Sequence, residues 1–503
     1  MGGSLPHSLY TAEQTRNLDA ETIHNHGIPG IELMKRAGQA SFEVAMKTWP
    51  QVGRGGSLQV FCGAGNNGGD GYIIAALARQ RYIPVRVISL KPPERLTGDA
   101  RKAWEWFRDL GGRCESWSEK IKLTGDLIID AMLGTGLSGD VCGDFANAIN
   151  LINQSEKPVL AVDIPSGLSA DTGAELGTVI KADVTVTFIG MKRGLFTGVA
   201  PRFCGDICFA DLGVPKKVYD ITQPAAHLIK RKDMAALVHP RARDANKGSH
   251  GHLLVIGGDH GMGGASIMTA ETALRCGAGL VTLATRSEHV MGSLVRRPEV
   301  MVRGVDSAED LEPLLEGKTA IAIGPGLGKK EWGRSLLQKV LETDIPLLID
   351  ADALNIIAHN PDMFLPRTHC VITPHPGEAS RLLSFNIADV AADRFTAVGQ
   401  LQTLCGGTAI LKGAGTLIAS SDTTWLCRAG NPGMAVAGMG DVLSGIMGAL
   451  LAQGYYATDV AKLGVWLHAT AGDDCAAAGG EIGIAATDLI PAVRKQLNRL
   501  TEE

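Results

Sequence analysis

Apolar runs three to six residues long recur along the chain, and between them apolar positions return at helical spacing. In the first half the runs are 58–62, 85–90, 127–131, 159–163 and 184–189, with helical stretches such as 73–79 and 100–110 between them. In the second half they are 253–256, 280–284, 320–323, 347–350, 371–373, 409–411 and 416–419. Runs this short and this continuously apolar are the mark of strands buried on both faces. Each half therefore predicts an α/β, doubly wound parallel sheet, whose ligands bind beyond the carboxyl ends of the strands.

At 503 residues the chain is too long for one core. The pattern changes after Leu212-Gly213-Val214-Pro215, and a polar stretch leads to Lys230-Arg231-Lys232. The joint is placed near 218–230, giving domains of 1–220 and 228–503. The two halves do not read as copies of one repeat.

A net charge of −5 gives no electrostatic grip on nucleic acid or acidic membrane. No apolar run reaches the ~18 residues that span a bilayer. Ten cysteines are scattered without a Cys-x-x-Cys pair, as expected of free thiols in a reducing cytoplasm.

Two glycine-rich stretches ending in aspartate carry the chemistry. The first, Gly63-Ala64-Gly65-Asn66-Asn67-Gly68-Gly69-Asp70-Gly71, follows a strand; the second, Gly438-Met439-Gly440-Asp441, precedes an apolar helix. Such loops aim free N–H groups and a helix dipole at an anion. The first formally matches Gly-x-Gly-x-x-Gly, but the following strand ends Ser89-Leu90-Lys91-Pro92, without the ribose-binding acid of an ordinary dinucleotide fold. A plainer role, glycines for tight turns and Asp70 or Asp441 as helix caps, is the competing expectation.

Other loops converge on the same sheet edges. Asp130 leads into Gly134-Thr135-Gly136-Leu137-Ser138-Gly139-Asp140, Asp163 into Ile164-Pro165-Ser166-Gly167, and a third strand into Gly190-Met191-Lys192-Arg193-Gly194. Hard oxygens of this kind suit a monovalent cation, with one carboxylate spare for general acid/base work. This set resembles the NAD(P)H-hydrate epimerase family over about residues 8–215. The resemblance implies that Asn66, Asn67, Gly68, Gly69, Asp70 and the stretch Gly134, Thr135, Gly136, Leu137, Ser138, Gly139, Asp140 hold a hydrated nicotinamide nucleotide. It also implies K+ ligands at Asn67, Asp130 and Ser166, and a substrate-contacting acid at Asp163. One carboxylate alternating as acid and base suffices on this reading, and Asp163 is the expected one.

In the second half, Gly324-Pro325-Gly326, Thr373-Pro374-His375-Pro376-Gly377-Glu378 and Lys412-Gly413-Ala414-Gly415-Thr416 each follow a strand. With Gly440 and Asp441 they resemble the nucleotide-dependent NAD(P)H-hydrate dehydratases, a branch of the ribokinase-like proteins. The resemblance implies that hydrated substrate meets Ala265, Gly326, His375 and Asp441. Adenine nucleotide meets Lys412, Gly413, Ala414, Gly415, Thr416 and Gly440, with Mg2+ alongside. His375 stands where small-molecule kinases of this fold usually place Asn before the metal-site Glu, here Glu378. The expectation is a cytoplasmic, homo-oligomeric enzyme that epimerises the hydrates of NADH and NADPH and dehydrates the S form with ADP. The alternative is a small-molecule kinase fused to a non-catalytic Rossmann-like module.

Overall fold

The computed structural model describes residues 5–502. The chain divides into two compact units, 1–227 and 228–503, and each follows from its own run of strands.

In the first unit the strands lie in the order Cys114–Ser116, Val85–Ser89, Leu58–Cys62, Leu127–Ala131, Val159–Val162, Val184–Phe188 and Asp206–Ala210. Every ladder of this seven-stranded sheet is parallel, and a short antiparallel pairing of Ser8 with His227 and Leu9 with Ala226 lies outside it. The chain starts in the middle, winds outward through Val85–Ser89, then returns to Leu127–Ala131 on the other side of Leu58–Cys62. The order reverses there, and the crevice beyond the carboxyl ends of Leu58–Cys62 and Leu127–Ala131 is where ligands collect in such sheets. The helix Asn66–Gln80 fills the turn after the central strand and is buried along most of its length. Gly63 and Gly68 allow this: a Cβ on Gly63 would lie 1.9 Å from Met132 O, and one on Gly68 2.2 Å from Gly63 O. The stretch Asn66–Asp70, expected as a loop, is thus the first turn of that helix. The glycines let the turn press against the sheet, and the helix starts earlier than the apolar spacing alone indicated. Asp70 is therefore not its N-cap, a position held by Gly65.

In the second unit nine strands pair in the order Thr424–Cys427, Thr416–Ala419, Thr408–Leu411, Cys370–Ile372, Leu347–Ile349, Ala320–Ile323, His252–Ile256, Leu280–Thr285 and Met301–Gly304. Six ladders are parallel, but the two that join Thr408–Leu411, Thr416–Ala419 and Thr424–Cys427 are antiparallel. A wholly parallel sheet was the expectation. Four residues separate Leu411 from Thr416 and four separate Ala419 from Thr424, far fewer than a parallel crossover requires.

The helix Met439–Ala452 is buried on all sides from Val442 to Ala452, as an all-round apolar sequence demands. It crosses Gly263–Arg275 closely enough that a Cβ on Gly445 would sit 2.5 Å from Thr269 O. Burial of Ile446, Met447 and Leu450 contributes about 1.5–3 kcal/mol each before entropy is counted. That packing fixes the helix start, and with it Asp441. No helix among the described residues is long and apolar enough to cross a membrane.

Candidate functional site

In the first unit a cavity of about 730 Å³ opens at the carboxyl edge of the sheet. Asn66, Asn67, Asp70, Gly134, Thr135, Gly136, Leu137, Ser138 and Asp163 line it. Gly68 and Gly69 face the packing instead, and Gly139 and Asp140 lie outside the lining, exposed. The N–H groups of Asn66, Asn67 and Gly68 have no acceptor among the described residues, so the helix start is open to an anion.

Asp163 leaves its strand with φ of +67°, a left-handed conformation that Asp tolerates better than most residues. Its Oδ1 accepts from Lys192 Nζ and from Thr187 Oγ1, the latter at 3.3 Å. Lys192, only 1% exposed, also donates to Thr187 Oγ1 and to Phe188 O. Asp19, on the helix Ala12–His24, borders the same cavity. Burial and the charge of Asp163 push it up to about 6, against the opposing pull of Lys192. Asp70 is held well above the usual carboxylate range by burial and by Asp163 and Asp19.

Beneath the cavity Asp130, Ser166 and Asn67 meet around Leu133. Ser166 Oγ donates to Asp130 Oδ1 at 2.6 Å, the Ser166 N–H to Asp130 Oδ2 at 2.8 Å, and the Leu133 N–H to Ser166 Oγ at 2.9 Å. Asn67 Nδ2 donates to Leu133 O at 3.0 Å, leaving Asn67 Oδ1 buried with no partner. Burial pushes Asp130 up to about 6 despite its donors. An orphaned amide oxygen beside a buried carboxylate and a hydroxyl is a donor set suited to K+.

In the second unit Asp441 occupies the first turn of Met439–Ala452, after Gly438 at φ of +89°. Neither the Gly440 nor the Asp441 N–H has an acceptor among the described residues, and the Asp441 carboxyl has no hydrogen-bond partner there either. Burial and Asp350 raise that carboxyl to about 7, Lys412 opposing. Lys412 Nζ donates to Asp350 Oδ1 at 2.9 Å and lies 4.0 Å from Glu378 Oε2. Ser444 Oγ donates to Asp350 Oδ2 at 2.7 Å. Burial alone would raise Asp350, but the Lys412 ammonium and these donors bring it below its ordinary value. Glu378, mainly through burial, is pushed up to about 7.

The remaining expected residues gather around this centre. A Cβ on Gly326 would lie 3.3 Å from Ala265 Cβ, and Thr269 Oγ1 links Ala265 O to Asp441 O at 3.0 and 3.1 Å. Gly440 lies against Lys412 Nζ and Asp350 Oδ2. His375 caps the helix Pro376–Leu383: its Nδ1 accepts from the Gly377 N–H, while Glu378 Oε2 accepts from the His375 N–H. Lys412, Gly413, Ala414, Gly415 and Thr416 form the tip and first residue of a hairpin, braced by Thr416 Oγ1 donating to Gly413 O at 2.8 Å. Arg394 Nη2 donates to Leu411 O and Lys412 O at its base.

The sequence alone gives no role to Asp19 or Ser444, marks Asp350 by its place at the end of the strand Leu347–Ile349, and marks Lys192 only as part of a strand-end loop. Its place after Val184–Phe188 was the available signal; Asp19 sits on an ordinary amphipathic helix and offered none. Among the described residues no group of three or more His, Cys, Asp or Glu could hold a metal.

A family model described as NAD(P)H-hydrate dehydratase matches residues 253–495, and one described as the YjeF-related protein N-terminus matches 30–194. A bifunctional NAD(P)H-hydrate repair enzyme of Coxiella burnetii is 46% identical over 491 residues, covering 97% of this chain and 99% of its own. The enzyme of the same description from Escherichia coli is 42% identical over 500 residues, covering 98% and 95%. Among solved structures, a hypothetical protein of Streptococcus mutans aligns with TM-score 0.51 at 25% identity, over 55% of this chain and 99% of its own.

Proposed function

The chain belongs to the family of bifunctional NAD(P)H-hydrate repair enzymes, and from that membership we propose that its two units act in succession on hydrated NADH and NADPH. The first unit interconverts the R and S hydrates. The second dehydrates the S form, turning ADP into AMP and phosphate.

One observation carries this reading: the Asp441 carboxyl, without a hydrogen-bond partner among the described residues, stands on the same turn as two N–H groups that lack an acceptor there, within the field of Lys412. A carboxylate so placed takes the proton from the substrate's C6 hydroxyl as its oxygen attacks the terminal phosphorus of the nucleotide. The Gly440 and Asp441 N–H groups receive the charge that builds on the phosphoryl oxygens. Phosphate leaves far more readily than hydroxide, so elimination restores the reduced nicotinamide. Lys412 and the hairpin tip after it are assigned to the nucleotide's phosphates. Mg2+ would be held mainly by the nucleotide's own phosphate oxygens, adding positive charge beside Lys412.

In the first unit we assign K+ to Asn67 Oδ1, Asp130 and Ser166, where it supplies positive charge beneath the cavity. Asp163 meets the reacting end of the hydrate. The free thiols of all ten cysteines support a reducing, cytoplasmic setting.

The test supplies mixed R and S hydrates with ADP and follows the near-ultraviolet absorbance of the reduced nicotinamide. Complete recovery by the intact chain is expected, with recovery of the S fraction alone in Asp163→Ala. A stable phosphorylated product in place of recovered NADH would overturn the reading.

A further inference from the structure

Asp19, Asp70, Asp163 and Lys192 border the first unit's cavity, and of these three carboxylates only Asp163 has a hydrogen-bond partner among the described residues. Asp163 accepts from Lys192 and Thr187. Lys192 gives its other protons to Thr187 Oγ1 at 3.1 Å and Phe188 O at 3.2 Å, so all three are engaged and none is left for a ligand. Asp70 is only 8% exposed, yet neither its carboxyl nor that of Asp19 has a hydrogen-bond partner among the described residues. A nearly buried carboxyl without donors, facing two other carboxylates, keeps its proton. Burial, Asp163 and Asp19 all act on Asp70 in that direction, and only Lys192 opposes them. Arg16, Lys91 and Asp99 are the other charged groups bordering the cavity.

The chemistry asks for such a pair. When a hydroxyl departs from one face of a ring carbon and water returns to the other, a proton must be given on one side and taken on the other. A single fixed carboxylate reaches one side only.

Resting on the epimerase reading above, we propose that the two tasks are divided: Asp70 delivers the proton that lets the C6 hydroxyl depart, and Asp163, anchored by Lys192, accepts the proton of the incoming water. The C6–O bond breaks as the hydroxyl takes the Asp70 proton and leaves as water, and the ring-nitrogen lone pair forms the C=N bond of an iminium. Water on the opposite face then forms a new C6–O bond, its proton passes to Asp163, and the π pair returns to nitrogen. One proton has moved from Asp70 to Asp163; it returns through cavity water, or the opposite epimer carries it back. Lys192 is a positioning residue, and Asp19 sustains the proton on Asp70.

The test runs the full-length protein with purified R hydrate in water enriched in ¹⁸O, reading S hydrate by chromatography and label by mass spectrometry. The native chain must interconvert the epimers; if it does not, the epimerase reading itself fails. Given interconversion, each inverted molecule is expected to carry one labelled oxygen, and inversion without label overturns the proposed bond cleavage. Asp70→Asn is expected to lower both inversion and labelling by about 10²-fold or more, with Asp70→Glu recovering part of it. ADP-dependent dehydration of S hydrate by the same Asp70→Asn sample shows the chain to be intact, and its unchanged thermal transition shows the first unit folded. Should folded Asp70→Asn invert at the native rate, the division of roles is wrong. Two smaller effects separate positioning from mere structure. Asp19→Asn is expected to move the alkaline limb of the inversion rate to lower pH, and Lys192→Met to lower kcat for inversion by about 10-fold or more with KM little changed, Lys192→Arg restoring part of it. An unmoved limb would remove Asp19 from the scheme, and an unchanged kcat would remove Lys192.

Discussion

At Asn66 the first helical turn ends in an acid that faces two more carboxylates and no donor, whereas at Met439 it ends in an acid that feels a lysine shared between Asp350 and Glu378. The backbone device is the same in both places: free N–H groups and a helix dipole at the carboxyl ends of parallel strands. What differs is the company each aspartate keeps. Crowding by like charge favours a group that holds a proton; a nearby cation with raised but titratable acidity favours one that can release it near neutrality. A glycine-rich turn closing on aspartate therefore specifies where an anion sits, and the surrounding charges decide what the acid does.

The contrast breaks most sharply at Asp441. Asp441→Asn is expected to lower dehydration of S hydrate by about 10²–10⁴-fold while R-to-S inversion continues at its native rate, both read on one sample. Dehydration surviving at the native rate would mean that the turn binds without activating. Next in size is Lys412→Met, which leaves Asp350, 2% exposed, without its cation. Loss of one partner of such a pair costs about 3–5 kcal/mol, seen as a lower Tm of the second unit, and adding Asp350→Asn should restore most of it.

A smaller effect sharpens the other side. Asn67→Ala removes the orphaned Oδ1 and is expected to weaken K+ activation of inversion by about 10–100-fold, measured by titrating K+ into tetramethylammonium buffer. Gly63→Ala must displace Met132 O and should cost the first unit about 1–3 kcal/mol in chemical denaturation. The mildest perturbation is pH. Asp441, with an acidity near pH 7, must be ionised to act, so dehydration should rise through about pH 7, with about one-tenth of its plateau rate at pH 6. The sign for stability is opposite. The folded carboxyl is raised by burial, so its ionisation costs stability increasingly between about pH 4 and pH 7, in full above that, and has no effect well below pH 4. Asp441→Asn should accordingly stabilise the chain at pH 8 and do little at acidic pH.

Much of this architecture was legible from apolar runs, because strands buried on both faces show an unbroken hydrophobic signature. Strands that are only partly buried escaped. Cys114–Ser116, Asp206–Ala210, Met301–Gly304 and Thr424–Cys427 are partly exposed, and their mixed composition reads like loop. Asn66, Asp163 and Asp441 were visible because backbone geometry marks them locally, through glycines or the end of a strand. Asp350 was marked in the same way, at the end of Leu347–Ile349, but its partner was not, and Asp19 was not marked at all. Asp19 gains meaning only beside Asp163 and Lys192, and Asp350 only beside Lys412, 62 positions away. Pairings at such separation leave no trace in spacing.

The hairpin that presents Lys412 has a consequence for how far this protein can be altered. Leu411 pairs with Leu417 and Ala409 with Ala419, so the segment from 412 to 415 is clamped at both ends by one ladder. An extra residue there has nowhere to bulge without either lifting the ammonium away from Asp350 or slipping the ladder by one place. The slip would exchange the two faces of 416–419, and since Leu417, Ile418 and Ala419 are all buried, each would meet packing shaped for its neighbour. Elsewhere crossovers absorb insertions, but this tip is a fixed ruler, and its length is under the same constraint as the lysine it carries.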